Sequence, residues 1–281
     1  MTVPTTTLHD GTSIPQLGLG VFQVPPEDTA RVVEDALGVG YRHIDTAQMY
    51  QNEAGVGDGL KSAGVARDDL FITSKLNNGF HRPDDARRTF GESLERLGLD
   101  RIDLFLIHWP LPTEYDGDFV STWRTLAEFV DDGRATSIGV SNFQPDHLDR
   151  IVEETGVVPV VNQVEVHPFF GNRAVREANQ RHGVVTEAWA PLAQGAIGDD
   201  DAIGEIATVS GKTPAQVVLR WHLQRGDIVF PKTTKIERMR ENFDVLDFEL
   251  TENQMATLDE LDRGEGGRRG PNPDTFDYIP D

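Results

Sequence analysis

The sequence predicts an α/β protein folded as a single (β/α)8 TIM barrel, on three observations. The chain has 281 residues, near the roughly 250 that this architecture needs. Short β-branched or apolar runs alternate with stretches of helical period, and no linker or low-complexity segment divides them. Polar and aromatic residues recur just after successive runs, as expected where the C-terminal ends of barrel strands share one rim. The domain is expected to span residues 1–281, with 264–281, rich in Gly, Pro and Asp, as an irregular tail near that rim.

A hairpin opens the chain: Thr5–Leu8 and Thr12–Ile14 flank His9-Asp10-Gly11, and Asp-Gly marks a tight turn. Eight strands are expected at Leu17–Val21, Arg42–Ile44, Leu70–Ser74, Ile102–Ile107, Ala135–Val140, Val160–Val164, Val184–Glu187 and Ile228–Phe230. Helices are expected between them at Glu27–Leu37, Glu53–Ser62, Asp84–Leu97, Val120–Asp131, Pro145–Glu153, Arg173–Gln180 and a longer stretch from Ala202 to Gln224, with a last pair at Ile236–Phe243 and Glu252–Leu261. Gly38, Gly98 and Gly133 supply stop signals. Thr213-Pro214 reads as an N-cap followed by a first-turn proline, so Pro214–Gln224 is an extra helix or the true seventh. Eight units with short connections favour a barrel over an open doubly wound sheet.

Composition narrows the function classes. With 26 basic and 47 acidic residues the net charge is −21, which disfavours nucleic acid and anionic membranes. Cysteine is absent, so no disulfide, thiolate metal site or catalytic thiol is available, and a reducing cytoplasm suits the chain. The first ten residues show no leader-like run, and no apolar stretch reaches membrane-spanning length. His81, His108 and His167 lack ligand spacing, so no metal is expected. Lysine is confined to Lys61, Lys75, Lys212, Lys232 and Lys235.

The residues that follow the strands suggest a chemistry. Asp45 and Tyr50 come after the second strand, Lys75 ends the third, and His108 follows the fourth; Ser141, Asn142, Gln163, Trp189 and Lys232 follow later ones. A neighbouring ammonium lowers a tyrosine's pKa from its usual value near 10. Lys75 is a candidate source of that ammonium, Asp45 a candidate anchor for it, and His108 a candidate donor to a carbonyl oxygen; each also fits a structural role, as a snorkelling strand-end lysine, a helix N-cap and a core histidine. Such a set delivers a proton to a developing alkoxide and holds no reductant, so electrons must come from a cofactor.

These residues fall within longer motifs. Gly40-Tyr41-Arg42-His43-Ile44-Asp45-Thr46-Ala47-Gln48-Met49-Tyr50 with Asn52-Glu53, then Ser74-Lys75-Leu76, Ile107-His108-Trp109-Pro110, Ile138-Gly139-Val140-Ser141-Asn142-Phe143, Asn162-Gln163-Val164-Glu165 and Pro231-Lys232-Thr233-Thr234-Lys235 together resemble the aldo-keto reductases from Gly18 to about Leu261. The ending Gly270-Pro271-Asn272-Pro273-Asp274-Thr275-Phe276 is similar to the bacterial 2,5-diketo-D-gluconate reductase branch. The resemblance implies reduction of aldehydes or ketones with NADPH, with Tyr50 as proton donor tuned by Lys75 and Asp45, and His108 positioning the carbonyl. It further implies a cofactor site of Gly20, Val21, Ser141, Asn142, Gln163, Trp189, Ala190, Pro191, Leu192, Gln194, Gly195, Lys232, Thr233, Thr234, Lys235, Arg238, Glu241 and Asn242. The small carbonyl substrate would lie over Phe22, Gln48, Asn77 and Trp109, with the tail as a lid. A monomer is expected, as for simple members of the family.

Charge supports the phosphate end of this reading: Lys232, Lys235, Arg238 and Arg240 cluster in a strongly acidic chain, which favours NADPH over NADH. Lys235 stands where the family usually has arginine and lacks its two-pronged contact to phosphate. Ala190 replaces a common serine, and Phe230 a smaller aliphatic residue. Two other readings stand beside this one: a barrel glycoside hydrolase pairing Glu165 with Glu187, and a non-catalytic nucleotide-sensing barrel. Ser210-Gly211-Lys212-Thr213 mimics a P-loop, but Ile206 occupies the position of its first glycine.

Overall fold

The computed structural model describes residues 3–280; Met1, Thr2 and Asp281, the ends of the expected domain, lie outside the described residues. Strands β1 (Thr5–Thr7) and β2 (Ser13–Pro15) form the antiparallel hairpin. Eight parallel strands follow in sequence order around the barrel: β3 (Leu19–Gly20), β4 (His43–Asp45), β5 (Phe71–Leu76), β6 (Ile102–Ile107), β7 (Ala135–Ser141), β8 (Val161–Glu165), β9 (Val185–Trp189) and β10 (Ile228–Val229). The barrel closes through a single bridge, Leu17 to Val229. There the Gly18 N–H donates to the Val229 carbonyl, and the Val229 N–H to that of Gln16, both at 2.8 Å. The two edge strands approach so closely that a Cβ on Gly20 would stand 2.8 Å from the Phe230 carbonyl oxygen, which is why glycine is required there.

Helices α1 (Pro26–Val39), α2 (Glu53–Ala63), α3 (Pro83–Leu97), α4 (Phe119–Asp131), α5 (Pro145–Thr155), α6 (Arg173–His182), α7 (Asp201–Ser210), α8 (Pro214–Gln224), α9 (Ile236–Phe243) and α10 (Glu252–Asp259) complete the fold. All six residues of β6 are buried, as expected for a parallel strand covered on both faces. Outside the sheet, Phe90 and Phe129 stack at 4.0 Å between α3 and α4. Within the barrel, Leu8 and Ile14 of the hairpin region pack with Phe71, Leu104, Leu106, Val161 and Ile228, so the hairpin plugs the N-terminal end.

The stretch from Ala202 to Gln224 is two helices. Gly211 turns to φ +64° and ends α7, and Thr213 caps α8 by accepting the Gln216 N–H. α8 packs on β10, while α7 packs on α8 and α10, so α8 is the true seventh helix. The glycines of α2 allow close packing: a Cβ on Gly59 would stand 2.7 Å from Ala30 and Val33, and one on Gly57 2.5 Å from the Leu97 carbonyl. No helix among the described residues is long and apolar enough to cross a membrane.

Candidate active site

Side chains alternate along a strand, so Asp45, Lys75, Gln163 and Glu187 project into the barrel above its apolar plug. Lys75, fully buried, donates from Nζ to Asp45 Oδ1 (2.7 Å), to the Thr46 carbonyl (2.9 Å) and to the Tyr50 hydroxyl (3.4 Å). Its three protons therefore have three acceptors in a dry interior, which holds the ammonium in one place. Burial opposes the Lys75 charge, but Asp45 and then Tyr50 outweigh it and keep the Lys75 pKa above the ordinary lysine value.

Tyr50 behaves differently from the expectation. Burial raises its pKa more than Lys75 lowers it, so the phenol lies above its ordinary value of 10.0. The physical reason is desolvation: the same enclosure that brings Lys75 close strips water from a phenolate. Tyr50 therefore rests protonated, with the Lys75 ammonium beside it.

His108 meets Tyr50 edge to face, with ring centroids 5.7 Å apart. Its buried Nδ1 has no partner among the described residues. Burial, then Lys75 and His81, push its pKa well below 6.5, so the imidazole is neutral. Phe22, 54% exposed, lies 5.1 Å from the Tyr50 ring on the open side. Trp109 packs on Phe276 of the tail at 4.1 Å.

The strand ends beyond form one hydrogen-bonded patch. Trp189 donates its indole N–H to Asn142 Oδ1 (2.8 Å), Asn142 Nδ2 donates to the His108 carbonyl (2.9 Å) and to Ser141 Oγ (3.1 Å), and Ser141 donates to the Gln163 carbonyl (2.8 Å). Asn142 adopts φ +64°, a conformation that asparagine tolerates better than most residues. Beyond Trp189 the chain turns sharply, with Ala190 at φ +48°, Gln194 at +55° and Gly195 at +95°, and Pro191 and Leu192 between them. Lys232, Lys235 and Arg238 are exposed around the start of α9 and form no ion pair among the described residues, whereas nearby Arg220 and Arg225 pair with Glu249 and Asp259. Thr233 and Asn242 are buried and Thr234 is half-buried beside them. Glu241 is tied back to the fold, accepting from the Thr213 hydroxyl at 2.7 Å.

Several expected positions have other duties. Gln48 does not face a substrate: its amide nitrogen donates to the Thr89 carbonyl (3.1 Å) and Ser93 Oγ (3.0 Å), and its oxygen accepts the Asn77 N–H (2.8 Å). Asn77 caps its own turn by accepting the Gly79 N–H. Val21 is fully buried; its N–H donates to the Asp45 carbonyl and its own carbonyl accepts from Asn52. Val21 and Gly20 thus form part of the barrel wall.

Glu165 and Glu187 do not pair across a cleft. Glu165 is buried and accepts from His167 (3.0 Å) and from the backbone N–H groups of Arg269 (2.6 Å) and Gly270 (2.9 Å). It anchors the tail, which presses Gly270 against Trp189 and then runs on to Asn78, where the Tyr278 carbonyl accepts the Asn78 amide at 2.8 Å. Sequence reasoning missed this clasp, since only the fold brings Glu165 to residues a hundred positions away. It also missed Glu53, whose buried carboxylate accepts from Ser74, Ser93 and Arg96 and ties α2 to β5 and α3.

A family model described as the Aldo/keto reductase family matches residues 15–263. An aldo-keto reductase of Mycolicibacterium smegmatis is 49% identical over 276 residues, covering 98% of this chain and 99% of that one. Methylglyoxal reductase DkgA of Escherichia coli is 48% identical over 272 residues, 96% of each chain. A crystal structure of a Gox0644 variant in complex with NADPH superposes with a TM-score of 0.94 at 45% identity, covering 99% of this chain and 100% of that one. The hydrolase reading gives way to this agreement: the protein belongs to the aldo/keto reductase family.

Proposed function

We propose that the protein reduces small aldehydes or ketones to alcohols with NADPH, with Tyr50 as the proton donor. The observation that carries this reading is the buried chain Asp45–Lys75–Tyr50 opening beside a neutral His108. When bound, NADPH supplies a hydride to the carbonyl carbon. The protein's own residues do the rest. His108 donates to the carbonyl oxygen and fixes its position; Tyr50 gives that oxygen a proton; Lys75, held by Asp45, stabilises the phenolate left behind.

The residues present fit the cofactor. Three exposed cations without carboxylate partners among the described residues, Lys232, Lys235 and Arg238, suit a 2′-phosphate and favour NADPH over NADH, with Thr233, Thr234, Glu241 and Asn242 beside the adenosine. Trp189, its ring fixed by Asn142, would stack on the nicotinamide. Ser141 and Asn142 would exchange hydrogen bonds for the carboxamide, with the Gln163 amide, held by Asp45, beside it, and the Ala190–Gly195 turn would border the pyrophosphate. Phe22, Asn77, Trp109 and the tail would frame the substrate. The named activity of DkgA makes methylglyoxal the first substrate to try. We further propose a cytoplasmic monomer acting on small molecules.

The test is a panel of carbonyls with NADPH and NADH. Tyr50→Phe should lower kcat/KM by about 100-fold or more, the usual size of an acid–base contribution; full activity would refute the donor role. Lys235→Arg should tighten NADPH and leave NADH unchanged; equal effects on both would refute its phosphate contact.

A further inference from the structure

Glu187 lies opposite Gln163 in the register of β8 and β9 and is fully buried. Its Oε2 accepts from Gln163 Nε2 at 2.9 Å, and the same nitrogen donates to Asp45 Oδ2, also at 2.9 Å. The amide's two hydrogens thus bridge two carboxyl groups. Its orientation is chemically fixed, because an amide oxygen turned toward the Asp45 carboxylate would repel it. From Asp45 the chain runs through Lys75 to Tyr50.

We propose that Glu187 is a positioning residue for Tyr50, acting in its uncharged form: it fixes the Gln163 amide, which fixes Asp45, which fixes Lys75. This rests on the proposed proton-donor role of Tyr50 and extends it across the barrel to β9.

Charge balance supports the uncharged form. The groups facing Glu187 are Asp45 from β4, Lys75 from β5, the neutral amide of Gln163 from β8 and apolar Ile228 from β10. His43, on the same interior face of β4, is neutral, its pKa pushed down to about 3 by burial. With Asp45 and Lys75 charged, the interior is balanced only while Glu187 holds its proton. Burial raises its pKa to about 8, with Asp45 adding and Gln163 and Lys75 opposing. Glu187 Oε1 has no partner among the described residues, whereas an ionised carboxylate in a dry interior would need both its oxygens hydrogen-bonded. Ionisation at alkaline pH would set a second carboxylate against the Gln163 amide, in competition with Asp45, weaken its hold on Asp45 and make the Tyr50 phenolate harder to form.

The experiment compares wild type with Glu187→Gln and Glu187→Leu in the full-length protein. Infrared difference spectra of the cofactor-free protein at neutral pH should show a protonated-acid C=O band in wild type that Glu187→Gln lacks and Gln163→Leu shifts. Absence of the band overturns the proposal whether or not the protein reduces carbonyls, and so separates its failure from failure of the proposed function. With NADPH and a carbonyl substrate, Glu187→Gln should keep neutral-pH kcat within about threefold and carry it further into the alkaline range. Glu187→Leu should lower kcat about tenfold with little change in KM, since it leaves a buried Gln163 hydrogen unpaired. An alkaline limb shared by wild type and Glu187→Gln, or unchanged kcat in Glu187→Leu, overturns the positioning role. Should Glu187→Leu fail to fold, the spectra and the Glu187→Gln pH profile decide.

Discussion

Replacing Lys75 with methionine tests the buried ion pair directly. The Lys75 and Asp45 side chains are 0% and 3% exposed, and Nζ stands 2.7 Å from Oδ1. Methionine matches the length of the lysine stem but leaves Asp45 with Gln163 as its remaining side-chain partner. Breaking a buried pair from one side costs about 3–5 kcal/mol, because a charge remains in a dry interior. Asp45 can escape part of that cost by taking up a proton, so the loss depends on pH. Burial already raises the Asp45 pKa and Lys75 is what opposes it, so in Lys75→Met the folded-state value lies further above the unfolded one. A carboxyl of this kind contributes its stability below the unfolded value and loses it as pH rises through the folded value. Lys75→Met should therefore lie closest to wild type near about pH 4 and furthest from it at neutral pH. Urea unfolding across that range measures the difference, and Asp45→Asn with Lys75→Met should recover most of it by removing both charges. A pH-independent loss below about 1 kcal/mol, or a double variant no more stable than the single one, would refute the reasoning.

The remaining predictions concern the wall and the tail. Gln48→Ala should cost about 1–3 kcal/mol in chemical unfolding, because it strips partners from buried groups, and should leave the substrate KM unchanged; a raised KM without destabilisation would return Gln48 to the substrate site. Glu165→Ala should unfasten the Arg269 and Gly270 amides, seen as faster proteolysis within the tail. Gly270→Ala would bring a Cβ to 2.4 Å from the Trp189 ring and should change Trp189 fluorescence along with tail protection; an unaltered spectrum would show that the tail yields without disturbing the ring.

Much of the fold was legible because its causes are local. Period and turn chemistry mark the helices, and Thr213-Pro214 already pointed to the separate α8 that Gly211 and the Thr213 cap define. The catalytic candidates were legible because barrel geometry gathers whatever follows each strand. What remained hidden depends on partners distant in sequence. Gln48 reads as a rim residue until Thr89 and Ser93 arrive from α3. The part of Val21 in the barrel wall shows only once Asp45 and Asn52 hydrogen-bond its backbone. Glu187 suggested a hydrolase carboxylate, because only the closed sheet shows it bound to Gln163 across from Lys75. The direction of the Tyr50 pKa was missed for a related reason: sequence shows a neighbouring lysine but not the loss of water that outweighs it.

The barrel's closure carries a mechanical consequence. Between β5 and β6 four residue pairs are in register, but between the first strand and the last the hoop is held by two short backbone bonds at Gly18 and Val229. A hoop under strain parts at its thinnest join, and this join runs between Phe22 at the open side of the site and the cations that precede and begin α9. Opening there would separate Phe22 from those cations, on either side of the proposed cofactor site, before any helix unfolds. The amide hydrogens of Gly18 and Val229 are therefore the gauge of barrel integrity, and a ligand spanning that site would act as a strap across the seam, slowing their exchange more than that of amides on the opposite wall.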